Sequence, residues 1–170
     1  MQDVHIRHAR ADEAETLSGL GVRTFVDTFG HLYKPSDLSI FLRTKHSVEK
    51  YQSFLDDPLH AVWIAERGGL AVGYAVAGPC DLPVPDLSPR AGELVRVYLV
   101  KEAQGGGLGR RLVEETLAWL GARHQPLYIS VWSENARAYA LYASLGFRKV
   151  HEYFFMVGEQ ADAEWILRRD

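Results

Sequence analysis

The chain carries one cysteine, Cys80, so it can build neither an internal disulfide nor a Cys-based metal site. Its seven histidines show no H-E-x-x-H or similar spacing, and no catalytic metal is expected. Long hydrophobic runs are missing too. The longest weakly polar stretch, Leu70 to Ala77, is far below the length of a membrane span. Met1 to Arg10 alternates polar and apolar residues, including Asp3, His5 and Arg7, which does not suit a signal peptide. The expectation is a cytoplasmic protein with no membrane partner. Positive charge is not in surplus: 19 Lys and Arg against 22 Asp and Glu leave −3. That argues against nucleic acid as a partner, which needs a concentrated basic face.

What remains is ordinary for a globular protein. The 170 residues suit one domain, 1–170, with a full hydrophobic core. His5 to His8 reads as a first strand. Asp12 is placed to cap a helix to about Phe25, with Ala14, Leu17, Leu20 and Val22 at partial helical spacing. Thr24 to Tyr33 is aromatic and irregular around Gly30. Pro35-Ser36-Asp37 opens a second helix, and Ser47 caps a third. Ala61 to Glu66 and Leu70 to Ala77 flank Arg67-Gly68-Gly69, a strong hairpin signal. Pro79 to Pro89 is proline-rich and reads as a surface loop. Glu93 to Val100 is nearly continuous apolar, as a doubly covered strand would be. Leu108 to Leu120 has helical spacing, and Leu127, Ile129 and Val131 alternate as a strand. Ser133 is expected to cap a helix from Glu134 to Leu145, stopped by a left-handed Gly146. Phe147 to Val157 and Ala163 to Leu167 complete the strands. The class is α/β, with a mixed, partly parallel sheet and helices on both faces.

The most informative stretch is Gln104-Gly105-Gly106-Gly107-Leu108-Gly109-Arg110, between a strand and a helix. A glycine turn opening a helix presents unpaired amides and the positive helix end, a site for phosphate or pyrophosphate. The dinucleotide fingerprint from Gly105 would need glycine at 110, where Arg110 stands. A P-loop would need glycine at 110 or 111, and both positions are arginine. What fits is Q-x-x-G-x-G at Gln104, Gly107 and Gly109. A single helix-terminus interaction is worth only roughly 0.3–1 kcal/mol, so tight binding needs several amides with Arg110 or Arg111 nearby.

This loop resembles the acyl-CoA pyrophosphate loop of the GNAT (GCN5-related N-acetyltransferase) family. Glu93 to Val100 is similar to that family's fourth strand. Asn135 to Phe147, ending in Leu-Gly-Phe, is similar to its later helix motif. The resemblance covers essentially the whole chain and implies a six- to seven-stranded GNAT-type sheet. Phe25 to Gly30 and Val157-Gly158-Glu159-Gln160 also resemble the spermine/spermidine acetyltransferase-like branch. A homodimer is common in the family, though no residue here proves one.

The resemblance implies acetyl transfer from acetyl-CoA, as donor substrate, to an amine. A lysine-like amine is only about one part in 10³ neutral at pH 7, a deficit of roughly 4–5 kcal/mol. A general base addresses this, and the departing thiolate benefits from a proton donor. Tyr142 is the candidate acid; it lies two helical turns after Asn135, on the same face. By spacing alone Tyr142 would be a core aromatic beside Leu141 and Leu145, and the motif match reverses that reading. The resemblance places Asn135 on the pantetheine or pyrophosphate arm. It places Gln104, Gly105, Gly106, Gly107, Leu108, Gly109 and Arg110 on the pyrophosphate, and the backbone of Val97 and Leu99 on the pantetheine amides. Glu93 is the candidate base, or else an ordinary strand-edge carboxylate. Glu66 and Glu152 are less favoured substitutes. His31 and Tyr33 read as loop residues that could line an acceptor site. Arg96, inside an apolar strand, needs an acceptor for its guanidinium, either by facing the substrate cleft or by pairing with a carboxylate.

The leading expectation is an N-acetyltransferase acting on a small-molecule amine, polyamine-like or amino-acid-like. Peptides and protein N-termini remain open as acceptors. The alternative class is a non-catalytic acyl-CoA-binding or sensing module, which would need neither Tyr142 nor Glu93. The acceptor pocket is expected from the early helices and the Pro79–Pro89 loop.

Overall fold

Local signals account for most of the elements in the computed structural model, which describes residues 3–170. Met1 and Gln2, at the start of the segment expected not to be a signal peptide, lie outside the described residues. Strand β1 (Val4–His8) leads to helices α1 (Ala14–Phe29), α2 (Pro35–Lys45) and α3 (Val48–Asp56). Strands β2 (Ala61–Arg67), β3 (Leu70–Pro79) and β4 (Gly92–Leu99) follow. Then come α4 (Leu108–Gly121), β5 (Leu127–Trp132), α5 (Ala136–Ser144), β6 (Arg148–Val157) and β7 (Gln160–Arg169). Pro35 opens α2 at its first turn, and the Ser47 hydroxyl accepts from the Lys50 amide at 3.1 Å to cap α3. Arg67 pairs with Leu70, so Gly68-Gly69 is the expected two-residue hairpin turn.

Several boundaries differ from the expectations. Helix α1 runs to Phe29, past the expected end at Phe25. The Phe25 ring packs 5.1 Å from Phe29, and Phe29 packs 5.7 Å from Trp132, so the apolar face continues for another turn. Asp12 does not cap it. Glu13 precedes the helix, and its carboxylate is taken by Arg7 at 2.7 and 2.9 Å. Helix α5 starts at Ala136, and its cap is Asn135, whose Oδ1 accepts from the Ala138 amide at 3.1 Å. Ser133 instead donates its amide to Ala163, as part of the strand edge. Strand β7 begins at Gln160, because Gly158 and Glu159 make a tight turn after β6.

The sheet order is β1-β2-β3-β4-β5-β7-β6, and every neighbouring pair is antiparallel except β4 with β5. Helices cover both faces. Tyr74 and Arg96 point to the face of α3, where Tyr51 meets both. Trp63 and Trp165 point to the other, meeting Trp119 of α4 and Tyr139 of α5. Between these layers Leu17, Tyr51, Ile64, Tyr74, Leu112, Leu120 and Leu167 are fully buried. No helix among the described residues is long and apolar enough to cross a membrane.

The sheet parts at its parallel pair. Strand β4 aligns with β5 at only two positions, Gly92 with Leu127 and Glu93 with Tyr128. Just beyond, Leu94 faces Ala77 and Arg96 faces Val76, so Val95 is an extra residue on β4. Such a bulge adds local twist and bends its strand. The rest of β4 therefore leaves β5 and opens a V through the sheet.

Helix α5 stops where expected. Gly146 has φ +91°, its amide bonds the Ala143 carbonyl at 3.1 Å, and the Phe147 amide bonds the Tyr142 carbonyl at 3.1 Å. This is the two-bond glycine stop of a helix, with the Phe147 ring packed 6.2 Å from Tyr142. Leu-Gly-Phe thus fixes the backbone of Tyr142. Replacing the left-handed glycine, as Gly146→Ala, should cost about 1–2 kcal/mol. A lower urea midpoint with an unchanged slope is the expected result; an unchanged midpoint would contradict this role.

Candidate active site

The V between β4 and β5 holds a cavity of about 590 Å³. Ile129 and Val131 line it from one face of β5, and Ser130 and Trp132 from the other, so it passes through the sheet. The structure brings most of the expected residues to this one space. Val97, Leu99, Gln104, Gly105, Gly107, Gly109, Arg110, Asn135 and Tyr142 all line it. Gly106, Leu108 and Glu93 do not. Leu108 is buried in the core beneath α4, so only its backbone is available to a ligand.

At one end of the cavity, Gly107 immediately precedes α4 with φ +80°, a conformation that glycine adopts without steric cost. The first helical bond runs from the Arg111 amide to the Gly107 carbonyl at 3.1 Å. The amides of Leu108, Gly109 and Arg110 precede it and have no helical acceptor. The Gln104 side chain donates to the Leu99 carbonyl at 3.1 Å, tying the loop to the end of β4. Arg110 donates to Glu114 at 2.9 Å and to Ser144 at 3.1 Å, which links α4 to α5 across the opening. Lys101 and Arg137 add two further cations to the lining, neither singled out by sequence.

Along the cavity, the edge of β4 has left β5, and the Leu99 carbonyl accepts from the Gln104 side chain. The Val100 amide bonds Val72 on β3 at 2.9 Å, and Leu99 faces Gly73 and Val97 faces Ala75. In an antiparallel ladder, hydrogen-bonded pairs alternate with pairs whose amides and carbonyls point outward. Val97 and Leu99 are the outward pairs, so their backbone groups face the V.

At the centre, Tyr142 is 5% exposed, and burial together with Tyr98 pushes its phenol above the usual tyrosine range. It holds its proton at neutral pH. Asn135 begins the same helix and lines the same cavity.

The α1 side carries two carboxyl groups besides the Arg96 guanidinium. Asp27 and Phe29 of α1, Tyr98 of β4, Trp132 of β5 and Glu164 of β7 line it. Burial raises the Glu164 carboxyl to about 7, against a hydrogen bond from the Ser130 hydroxyl at 2.9 Å that favours its ionised form. Glu93 is also raised to about 7 by burial, being 7% exposed. Its carboxylate accepts from the Asp81 amide at 3.0 Å and lies outside the cavity lining. Sequence reasoning missed Glu164 and Asp27, because no local motif marks either.

The remaining candidates lie elsewhere. Glu66 is paired with Arg7 at 2.6 Å, and Glu152 with Lys149 at 2.8 Å. His31 is exposed, and Tyr33 donates to Asp162. None of the four lines the cavity. Arg96 does line it, but its Nη2 donates to the Lys45 carbonyl at 2.7 Å and its guanidinium stacks 5.1 Å from Tyr51. The Pro79–Pro89 loop also stays out. Its Leu82, Val84 and Leu87 pack with Tyr128, Tyr153 and Ile166 as a separate small core.

Comparison with known proteins gives a consistent picture. The model of the acetyltransferase (GNAT) family matches residues 26–147. An uncharacterised N-acetyltransferase of Lactobacillus delbrueckii subsp. lactis is 28% identical over 156 residues, covering 86% of this chain and 85% of that protein. The N-alpha-acetyltransferase RimI of Mycobacterium tuberculosis is 36% identical over 109 residues, covering 62% of this chain and 63% of that one. Among solved structures, the PaiA N-acetyltransferase of Thermoplasma acidophilum, in complex with coenzyme A, has a TM-score of 0.78 at 17% identity, over 99% of both chains. That last likeness is one of fold.

The loop geometry can be tested directly. A carboxylate introduced as Gly107→Glu strains a left-handed residue and repels phosphate. Coenzyme A binding by calorimetry should be lost, and an unchanged affinity would refute the assignment of the loop.

Proposed function

Because the chain belongs to the GNAT family of acetyltransferases, we propose that it moves the acetyl group of acetyl-CoA to a primary amine of a small molecule, polyamine-like or amino-acid-like. The transfer is a direct attack of the amine on the thioester, and residues 1–170 act as one N-acetyltransferase domain. The observation that carries this reading is that one cavity joins a glycine-loop helix end, a strand edge parted from β5 and a buried phenol.

The residues fit a CoA thioester in a consistent order. Amides from Gly105 to Arg110 meet the pyrophosphate, with Lys101, Arg110 and Arg137 supplying positive charge. The outward backbone groups of Val97 and Leu99 pair with the pantetheine amides as another strand would, and Asn135 flanks the arm. Tyr142, protonated, then donates a hydrogen bond toward the sulfur as negative charge grows there. Its raised pKa makes it a stabiliser of that charge more than a strong acid.

Lys101, Arg110 and Arg137 lie by the glycine loop and the two helix starts, while Asp27 and Glu164 lie on the α1 side with the rings of Phe29, Tyr98 and Trp132 and with one cation, Arg96, whose guanidinium is tied to the Lys45 carbonyl. An anionic donor and a cationic amine suit that polarity, and aromatic rings favour a cation by about 0.5–1 kcal/mol or more. Identity with the N-alpha-acetyltransferase RimI supports a second reading, in which the amine is a peptide N-terminus. A non-catalytic binding module would have no use for the phenol at the centre of the cavity.

Thiol release from acetyl-CoA over a panel of polyamines, amino acids and short peptides tests the reading. Acetylation of at least one member is expected. Measurable acetyl-CoA binding without turnover on any of them would overturn it in favour of a sensing module. Tyr142→Phe should lower kcat by about 10²-fold while acetyl-CoA affinity stays near wild type. A fully active variant would remove Tyr142 from the chemistry.

A further inference from the structure

We propose that Glu164, on the last strand, is the catalytic base that takes the proton from the acceptor amine, and that Ser130 and Tyr153 carry that proton away. This rests on the acetyltransferase reading above. The placement follows from register. Glu164 pairs with Trp132 on β5 and with Tyr153 on β6, and Ser130 is one step along β5 on the same face. Three adjacent strands therefore bring a carboxylate, a hydroxyl and a phenol together. Glu164 and Ser130 line the cavity that Tyr142 also lines, and Tyr153 lies behind them, partly exposed.

The hydrogen bonds have a direction. Ser130 has one hydroxyl hydrogen, and it donates to Glu164 Oε2 at 2.9 Å. The Ser130–Tyr153 contact at 3.0 Å must then be donated by the phenol. Two donors in series end on one carboxylate oxygen, and the other oxygen is free to face an ammonium. The protonatable and charged groups around Glu164 come from several elements. They are Asp162 on its own strand, Tyr33 after α1, Tyr98 on β4 and Tyr153 on β6. Asp27 and Arg96 share the cavity. Glu93 differs: its carboxylate accepts from a backbone amide outside that lining.

The proton balance is complete. An ammonium gives one proton to Glu164, and the freed lone pair forms the N–C bond with the thioester carbonyl. The C–S bond breaks with its pair on sulfur. The second amine proton leaves as the amide forms and ends on the sulfur, which departs as a thiol, so the net release is the single proton taken by Glu164. Once Glu164 is protonated the chain turns round: the carboxyl O–H donates to Ser130, the Ser130 hydroxyl rotates to donate to Tyr153, and the Tyr153 hydroxyl rotates to solvent, so that one proton hop at each oxygen releases one proton to water. A carboxyl raised to about 7 is poised for this exchange at neutral pH.

The test is the pH dependence of kcat/KM for one acetylated amine, in wild type, Glu164→Gln, Glu164→Asp and Ser130→Ala. In wild type the rate should fall as pH drops through about 7, where Glu164 takes up its proton. Glu164→Gln should lose that limb and about 10²-fold in kcat, with coenzyme A affinity unchanged. Glu164→Asp should restore the limb, and Ser130→Ala should shift it. Glu164→Gln with full kcat and an intact limb would overturn the proposal. So would loss of the limb in Glu93→Gln alone, which returns the base to Glu93. Wild-type turnover, read in the same assay, judges the acetyltransferase reading separately.

Discussion

Everything at the cavity depends on the parting of β4 from β5. Two aligned positions hold the strands together, and an extra residue at Val95 then turns β4 away. A parallel pair that stayed closed would satisfy its backbone internally and leave no cavity. Once open, the same pair offers free amides and carbonyls along one edge and a passage between the two faces of the sheet. Unpaired backbone groups are costly when buried without partners. A ligand carrying its own amides is the natural way to satisfy them.

Helix ends set what meets the two strands. The left-handed Gly107 opens α4 with its first amides unpaired, and the glycine stop of α5 holds Tyr142 against Phe147. One helix start and one helix stop thus place the glycine loop and the phenol in the same cavity, with Arg110 tying α4 to Ser144 at the end of α5. The charge polarity follows the same division. Lys101, Arg110 and Arg137 lie with the helix ends, and Asp27 and Glu164 lie on the α1 side beside one cation, Arg96, held by the Lys45 carbonyl.

Most residues proposed to hold the donor were brought together as the sequence suggested, because their signals are local. The glycine loop, the Asn135-to-Tyr142 spacing and the Leu-Gly-Phe stop each lie within a few residues, and each is governed by helix-end chemistry. The side of the cavity proposed for the acceptor was not legible. Glu164 owes its position to register between β5, β6 and β7, which no short motif encodes. Glu93 looked attractive at the start of β4, yet its carboxylate accepts from the Asp81 amide outside the cavity lining. The Pro79–Pro89 loop looked like a rim of the pocket, and its leucines and valine make a small core of their own. Asn135 displaced Ser133 as a cap because Ser133 and Glu134 form a turn, closed by the Asn135 amide on the Trp132 carbonyl, and the helix starts only at Ala136.

The central claim is that the V holds a CoA thioester with its phosphates on the glycine loop and its sulfur at Tyr142. A crystal structure of this protein with coenzyme A tests it most directly. The account predicts the pyrophosphate on the amides between Gly105 and Arg110, the pantetheine along Val97 and Leu99, and the sulfur beside the Tyr142 hydroxyl. Coenzyme A bound outside the V, or with its sulfur away from Tyr142, would contradict it.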